Sequence, residues 1–224
     1  MFHPGRRDPA WRGELGLAAK GPLLVYAGRI DNEKRADRLL AMFRDLPREL
    51  DAGLVMIGDG KLRAALRDEA RGMQVAFPGF MADRAALVRA LASADIYVSA
   101  MADETFGISI VEAQASGLPV VGVASGAMPE RIVPGTGLLV DVDDTAAMAA
   151  GVMRVWQGQR EAMGHAARAH VAGRFEWRQT FEQLLGEVYP RAMASARARN
   201  EKGRFGVGAA LSLLSSGKIR QEAR

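Results

Sequence analysis

The sequence predicts an α/β domain: a doubly wound parallel sheet of about six strands, with extra helices at its C-terminal end. Three observations lead to this. Six short, nearly continuous apolar runs recur between Leu23 and Val140, the pattern of strands buried on both faces rather than one. Stretches of helical period lie between them, and strand alternating with helix is the signature of parallel crossover units. At 224 residues, 49% hydrophobic and 25% charged, the chain has ordinary globular composition and can bury one sizeable core.

Taken in order, residues 1–20 are rich in Gly, Pro and Arg and are expected to be a linker, ending in a short polar helix over Asp8 to Leu17 before Gly21-Pro22. Strands are expected at Leu23 to Ala27, Leu54 to Ile57, Val75 to Phe77, Ile96 to Ser99, Val120 to Val123 and Leu138 to Val140. Helices are expected between them at Ala36 to Leu46, Leu62 to Arg71, Arg84 to Ala92, Ile108 to Ala115 and Met128 to Val133. After Asp144 three helical stretches follow without a strand, at Thr145 to Trp156, Gln159 to Ala172 and Arg178 to Ala196, and should flank the sheet. Residues 21–190 are thus the folded domain. Residues 191–224 are a basic tail with an apolar centre at Phe205 to Leu214, suited either to a weak contact with a membrane surface or to no fixed structure.

Composition removes several function classes. There is no cysteine, hence no disulfide framework, thiolate nucleophile or thiolate metal site. The opening Met-Phe-His-Pro-Gly-Arg-Arg lacks the apolar core of a signal peptide and no apolar run spans a bilayer, so the expected location is cytoplasmic, at most peripheral at a membrane. The net charge of +4 is not spread over the body. Residues 191–224 carry eight Lys/Arg against two Asp/Glu, a net of +6, which leaves −2 on residues 1–190. A nucleic-acid partner, which needs a basic face on the folded domain, is therefore not expected.

The chemistry is expected where the topology puts it. In the common doubly wound order 3-2-1-4-5-6, strands one and four are neighbours and ligands bind where the loops after them diverge. Those loops are Gly28-Arg29-Ile30-Asp31-Asn32-Glu33-Lys34 and Ala100 to Glu104 with Thr105-Phe106-Gly107. The second opens directly into a helix, whose exposed N–H groups at Phe106, Gly107 and Ile108 and whose macrodipole make a natural phosphate site. The loop alone leaves open whether Gly107 only makes the turn.

Glu112 favours the ligand-binding reading, because it sits in a run otherwise suited to burial, where a carboxylate needs partners. It lies roughly 7 Å along the helix from a phosphate at its start, a ribose distance. Glu104 stands just before the helix, where a sugar hung from that phosphate would lie; a carboxylate near a helix start is also simply favourable, by ~0.3–1 kcal/mol. Arg29 and Lys34, ordinary surface charges if taken singly, together are suited to a diphosphate, one as a planar fork and the other as a point charge.

These segments, Val25 to Lys34, Ile57-Gly58-Asp59-Gly60, Phe77-Pro78-Gly79-Phe80 and Glu104 to Val121 with Glu112, Gly117 and Pro119, resemble in order and spacing the C-terminal domain of retaining GT-B glycosyltransferases of family four. The likeness covers about residues 2–190, and Glu104 and Glu112 match that family's paired glutamates. It implies the Rossmann-like, nucleotide-sugar-binding half of a GT-B fold. By the same resemblance, Arg29 and Lys34 would hold the donor diphosphate. Glu104 and the backbone of Phe106, Gly107 and Ile108 would hold the transferred sugar, Glu112 the ribose, and the backbone near Met81 the base, with Gly28 and Thr105 also in the donor site. Arg29, Lys34 and Glu104 would carry the catalytic effect, with no cofactor and no metal on the diphosphate. The partners implied are a UDP-, GDP- or ADP-linked sugar and an acceptor glycan or lipid. The acceptor would be bound by an N-terminal domain that normally precedes Phe2-His3-Pro4 and is not expected within this chain.

The sequence departs from the family pattern at Arg35, where glycine commonly follows the loop lysine, at Val98, where proline usually precedes Ser99, and at Lys61, where proline is frequent after Gly60. Ser125-Gly126-Ala127-Met128-Pro129-Glu130 leans toward mannosyltransferases and GDP-mannose. Two rival enzymes fit less well. Asp141-Val142-Asp143 spells the acidic metal motif of GT-A transferases but leads into a helix, where Asp143 or Asp144 is an ordinary N-cap. Gly58-Asp59-Gly60 continues with Arg63 where a dinucleotide fingerprint needs its third glycine. The alternative from another class is a non-catalytic nucleotide-sugar-binding subunit, inert without a separate acceptor-domain chain; a truncated fragment that needs such a partner is equally open.

Overall fold

The computed structural model describes residues 1–199 apart from Ala19 and Glu176, so the tail's apolar centre at Phe205 to Leu214 lies outside the described residues. Met1–Ala172 form one compact unit and the chain from Gly173 a second.

In the first unit, β1 (Leu23–Ala27), β2 (Gly53–Ile57), β3 (Val75–Gly79), β4 (Ile96–Ser99), β5 (Val120–Val123) and β6 (Gly137–Val140) form a single sheet in the order β3-β2-β1-β4-β5-β6. Every neighbouring pair is parallel; β1 runs in register with β2 (Leu24 beside Leu54) and with β4 (Leu24 beside Ile96). The central strands β1, β2, β4 and β5 are buried along their whole length, which is why they read as unbroken apolar runs. Only β3 and β6, at the edges, are partly exposed.

Alternate residues of each strand feed two core layers, as the period of two requires. On one face Leu24, Leu54, Ile96 and Val121 pack with Leu39 and Leu40 of α2 (Ala36–Asp45) and Met148, Val152 and Val155 of α7 (Thr145–Gln157). On the other, Leu23, Val25, Val55 and Tyr97 pack with Ala90 and Leu91 of α4 (Arg84–Ser93) and Ile110 and Ala113 of α5 (Ile108–Ala115). Each fully buried aliphatic side chain contributes about 1.5–3 kcal/mol. The helices α3 (Arg63–Glu69), α6 (Met128–Arg131) and α8 (Arg160–Val171) complete the unit. Helix α6 stops two residues short of the expected Val133.

The N-terminal segment is docked rather than trailing. Its helix α1 is confined to Trp11–Glu14, shorter than the expected Asp8 to Leu17, but Trp11 and Leu17 are both buried in the second core layer. Beside them the buried Asp95 carboxylate pairs with Arg7 at 2.8 Å, Arg160 at 3.1 Å and Arg12 at 3.5 Å, and accepts the Leu23 N–H at 2.9 Å. One carboxylate thereby ties the first residues, the start of β1 and α8 together. Arg35, the departure from the family's glycine, adopts the left-handed conformation at φ +50°, and its guanidinium holds Asp143 at 2.6 Å.

In the second unit, α9 (Trp177–Gln183) runs into a π-helical turn at Leu184–Val188, and helix continues to 199. Phe181, Leu185, Val188, Tyr189 and Met193 recur along it at helical spacing and are exposed.

Candidate functional site

The site lies at the carboxyl ends of β1 and β4, adjacent parallel strands whose chains leave in opposite directions, toward β2 on one side and β5 on the other. A cleft of about 370 Å³ opens there. Its walls include Gly28 and Lys34 from the β1 loop, Glu104, Thr105, Phe106, Gly107 and Ile108 from the β4 loop and the start of α5, and Glu112 one turn further on. Of the residues expected from sequence, Arg29 and Met81 do not line it. Arg29 is half-exposed and held by Asp31 at 2.9 Å and Glu33 at 2.6 Å; its hydrogen bond to Glu33 and the charge of Asp31 raise its pKa. Met81 is partly buried against the second core layer.

Local geometry explains why the loops take this form. Gly107 is the residue before α5 and has φ +77°, a conformation that would strain any side chain. Its N–H donates to Glu104 Oε1 at 3.0 Å, so Glu104 supplies the acceptor at the helix start. Lys34 Nζ lies 3.2 Å from the other carboxylate oxygen of Glu104 and also contacts Met101 Sδ, while the Lys34 N–H donates to Asp31 Oδ1 at 2.9 Å. The Glu104 carbonyl accepts the Ala127 N–H at 2.7 Å. A Cβ at Gly126 would come within 2.6 Å of that same carbonyl oxygen, which accounts for a glycine in the β5 loop.

Burial pushes the Glu104 carboxyl up, but the Lys34 hydrogen bond and charge, with the N–H groups of Gly107 and Phe106, outweigh it and hold the group below its ordinary value. Glu104 is therefore an anion at neutral pH. Deeper in, burial pushes the Tyr97 phenol up to about 12. Its hydroxyl lies 3.0 Å from the Ala27 carbonyl and 2.8 Å from Ser109 Oγ, fastening the end of β1 to the first turn of α5. Glu112 is mostly shielded and pairs with Arg84 Nη2 at 2.8 Å. Arg84 begins α4, lines the cleft and lies over the Phe2 ring at 4.9 Å.

Arg84 was not among the expected residues, since an arginine opening an amphipathic helix reads as a solvated charge. Met101, Tyr97 and Arg131 were missed too, because their roles depend on neighbours remote in sequence. Asp143 takes part in ion pairs with Arg35 and Arg38, and Asp144 caps α7 by accepting the Ala147 N–H. No group of three or more His, Cys, Asp or Glu suited to a metal ion occurs among the described residues, and no helix among them is long and apolar enough to cross a membrane.

The fold and the site define a doubly wound α/β domain with a cleft at its switch point, lined by the Lys34–Glu104 and Arg84–Glu112 ion pairs. Comparison with known proteins specifies its kind. Residues 7–170 match the family of glycosyl transferases group 1, and the chain belongs to that family. It is 33% identical over 196 residues to the GDP-mannose-dependent alpha-(1-6)-phosphatidylinositol dimannoside mannosyltransferase of Mycobacterium tuberculosis, an alignment covering 87% of this chain and 47% of that one. Among solved structures, sucrose-phosphate synthase from Thermosynechococcus elongatus superposes with a TM-score of 0.70 at 25% identity, covering 86% of this chain and 51% of that one. Anabaena HepE in complex with UDP-glucose gives 0.72 at 22% identity, covering 84% and 56%, and supports the fold alone. The chain spans about half the length of the curated relatives it matches.

Proposed function

We propose that this chain binds a nucleotide-sugar donor in the β1/β4 cleft and contributes the donor half of a retaining glycosyl transfer. The observation that carries the reading is the meeting of Lys34, Glu104 and the N-terminal end of α5 at the carboxyl ends of adjacent strands. Lys34 and the first N–H groups of α5 take the diphosphate. Arg29 joins them by exchanging Glu33 for a phosphate oxygen. Glu104 faces the transferred sugar, Glu112 accepts from the ribose hydroxyls, and the backbone near Met81 lies against the base.

Departure of the nucleoside diphosphate leaves an oxocarbenium-like sugar and builds negative charge on the leaving phosphate. Positive charge fixed beforehand at Lys34 and the helix start stabilises that charge without reorganisation, and Arg29 adds to it once it has left Glu33. The acceptor is held opposite the cleft by protein outside the domain described. GDP-mannose is the favoured donor, supported by Ser125 to Glu130 and by the donor named for the Mycobacterium tuberculosis relative. That relative's name also favours a glycolipid acceptor, reached from the cytoplasmic face of a membrane with the basic residues 191–224 toward anionic headgroups.

Calorimetric titration with UDP, GDP and ADP and with their sugar esters tests the donor site. Binding of at least one nucleotide, with the rise in melting temperature that linkage requires, is expected. No heat and no thermal shift with any of them sinks the donor-site reading.

A further inference from the structure

Behind the cleft, and not part of its lining, a guanidinium is buried. Arg131 ends α6 and is only 9% exposed. Its Nε donates to the Phe106 carbonyl at 2.7 Å, and its guanidinium carbon lies 4.5 Å from the centroid of the Phe106 ring. Nη1 is 3.5 Å from the largely exposed Glu130 carboxylate. The Arg131 carbonyl in turn accepts from the fully buried Gln114 side-chain amide at 2.7 Å, which anchors α6 to the far end of α5. Taking a full positive charge out of water is costly unless the charge interacts strongly with something.

Among the groups it acts on is one peptide. The carbonyl held by Arg131 belongs to the Phe106–Gly107 peptide, and the N–H of that same peptide donates into the cleft, at present to Glu104 Oε1 at 3.0 Å. Guanidinium, peptide and carboxylate therefore stand in series, Nε–H to O=C–N–H to Oε1. Hydrogen bonds in series polarise one another, most strongly where the dielectric is low. A cation on the carbonyl oxygen draws electron density from the nitrogen and makes its N–H the better donor.

We propose that Arg131 is a positioning residue for the donor: it fixes the Phe106–Gly107 peptide and strengthens its N–H toward the donor's diphosphate. The inference rests on the cleft being a nucleotide-sugar site. Because C=O and N–H of a trans peptide point in opposite directions, one peptide meets Arg131 on one side and the cleft on the other.

The test uses the full chain with Arg131→Met and Arg131→Lys. Without any nucleotide, the Gly107 amide proton signal is expected to move upfield in Arg131→Met and by less in Arg131→Lys. By calorimetry, Arg131→Met should weaken UDP or GDP about tenfold, the scale of one charge-assisted hydrogen bond weakened, and uridine or guanosine very little. A folded Arg131→Met chain whose Gly107 signal stays put, or which loses nucleoside and diphosphate affinity equally, shows a packing residue only and overturns the proposal. Should Arg131→Met not fold, the same two readings on Arg131→Lys decide the matter by the same criteria. Absence of any nucleotide binding by the unmodified chain refutes the donor site, whereas the Gly107 signal still decides whether Arg131 polarises that peptide.

Discussion

Lys34 and Glu104 are 70 residues apart in the chain, yet the lysine ammonium lies 3.2 Å from the glutamate carboxylate. Each comes from the loop at the end of a different central strand, so their meeting depends on β1 and β4 being neighbours. The consequence for pH follows from the direction of the Glu104 shift. Its folded value lies below the ordinary 4.5; the folded state therefore favours the anion, and the stability this gives is present above 4.5 and lost as pH falls through the folded value. Melting temperatures of the unmodified chain and Glu104→Gln are expected to differ at pH 7 and to converge as the pH falls below 4.5 and through the folded value. A constant gap across that range would count against the ion pair as a source of stability.

Lys34 and Arg29 are not expected to be equal. Lys34 already faces the cleft, whereas Arg29 is held by two carboxylates and must leave Glu33 to reach a phosphate. Lys34→Ala should cost UDP or GDP about 2 kcal/mol, the value of a charge-assisted contact, and the nucleoside almost nothing. Arg29→Ala should cost less and should depend more on salt, since the group is exposed. Titration of both variants with nucleoside and diphosphate checks this, and an equal loss for the two ligands in Lys34→Ala argues against a phosphate role.

Glu112 gives a sharper ligand test. Arg84 Nη2 holds its Oε1 at 2.8 Å, and a carboxylate has acceptor capacity beyond one such contact. The unmodified chain should therefore prefer a ribonucleoside diphosphate to its 2′,3′-dideoxy analogue, by about tenfold for hydrogen bonds to a charged group. Glu112→Ala should erase the preference and Arg84→Met should reduce it. If Arg84→Met instead tightens binding, Arg84 competes with the ribose rather than orienting its partner.

The parts of this arrangement that sequence reveals are those set by local rules. Strands β1, β2, β4 and β5 are sealed on both faces, so Leu23 to Ala27 or Ile96 to Ser99 must be apolar throughout, and their limits can be read to within a residue. Once the strands alternate with helices, the order follows from a common topology and puts the two polar loops together. Gly107 and Glu104 were legible because a helix start needs a turn and tolerates an anion. Arg84 and Arg131 were not, because each opens or closes a helix at a position that solvent usually occupies; their work comes from neighbours remote in sequence, Phe2 and Glu112 for Arg84 and Phe106 and Gln114 for Arg131. The extent of α1 was overread for a related reason. Asp8 to Leu17 has helical composition, but Asp8 is drawn to Arg89 and the Ser93 hydroxyl, and the helix is reduced to Trp11–Glu14.

Asp95 should dominate the stability of the first residues. Three arginines converge on a carboxylate that is 4% exposed, and breaking a buried pair costs about 3–5 kcal/mol. The low end applies to Asp95→Ala, since the arginines themselves reach solvent and can be rehydrated. The loss should fall on residues 1–20 first, where it would appear in hydrogen exchange as early opening of the segment carrying Trp11. A variant with unchanged exchange there would mean that Trp11 and Leu17 alone hold the segment.

The last expectation concerns transfer itself. In the proposed reading the cleft supplies a clamp for the leaving group, and none of the residues that line it is assigned to hold a nucleophile. Positioning of two reactants can account for ~7–11 kcal/mol of a barrier, so a donor half by itself should be many orders of magnitude slower than a complete site. Slow hydrolysis of the donor by water can persist, because water needs no wall, and Glu104→Gln should reduce it if Glu104 lies beside the transferred sugar. The assay follows product from labelled nucleotide sugars, with and without a separately expressed acceptor-binding domain of the same family. Activity is expected to appear on mixing and to be lost in the Lys34→Ala chain. Robust transfer to an external acceptor by the unmixed chain would overturn this argument, and would place an acceptor site within residues assigned here to the linker or the tail.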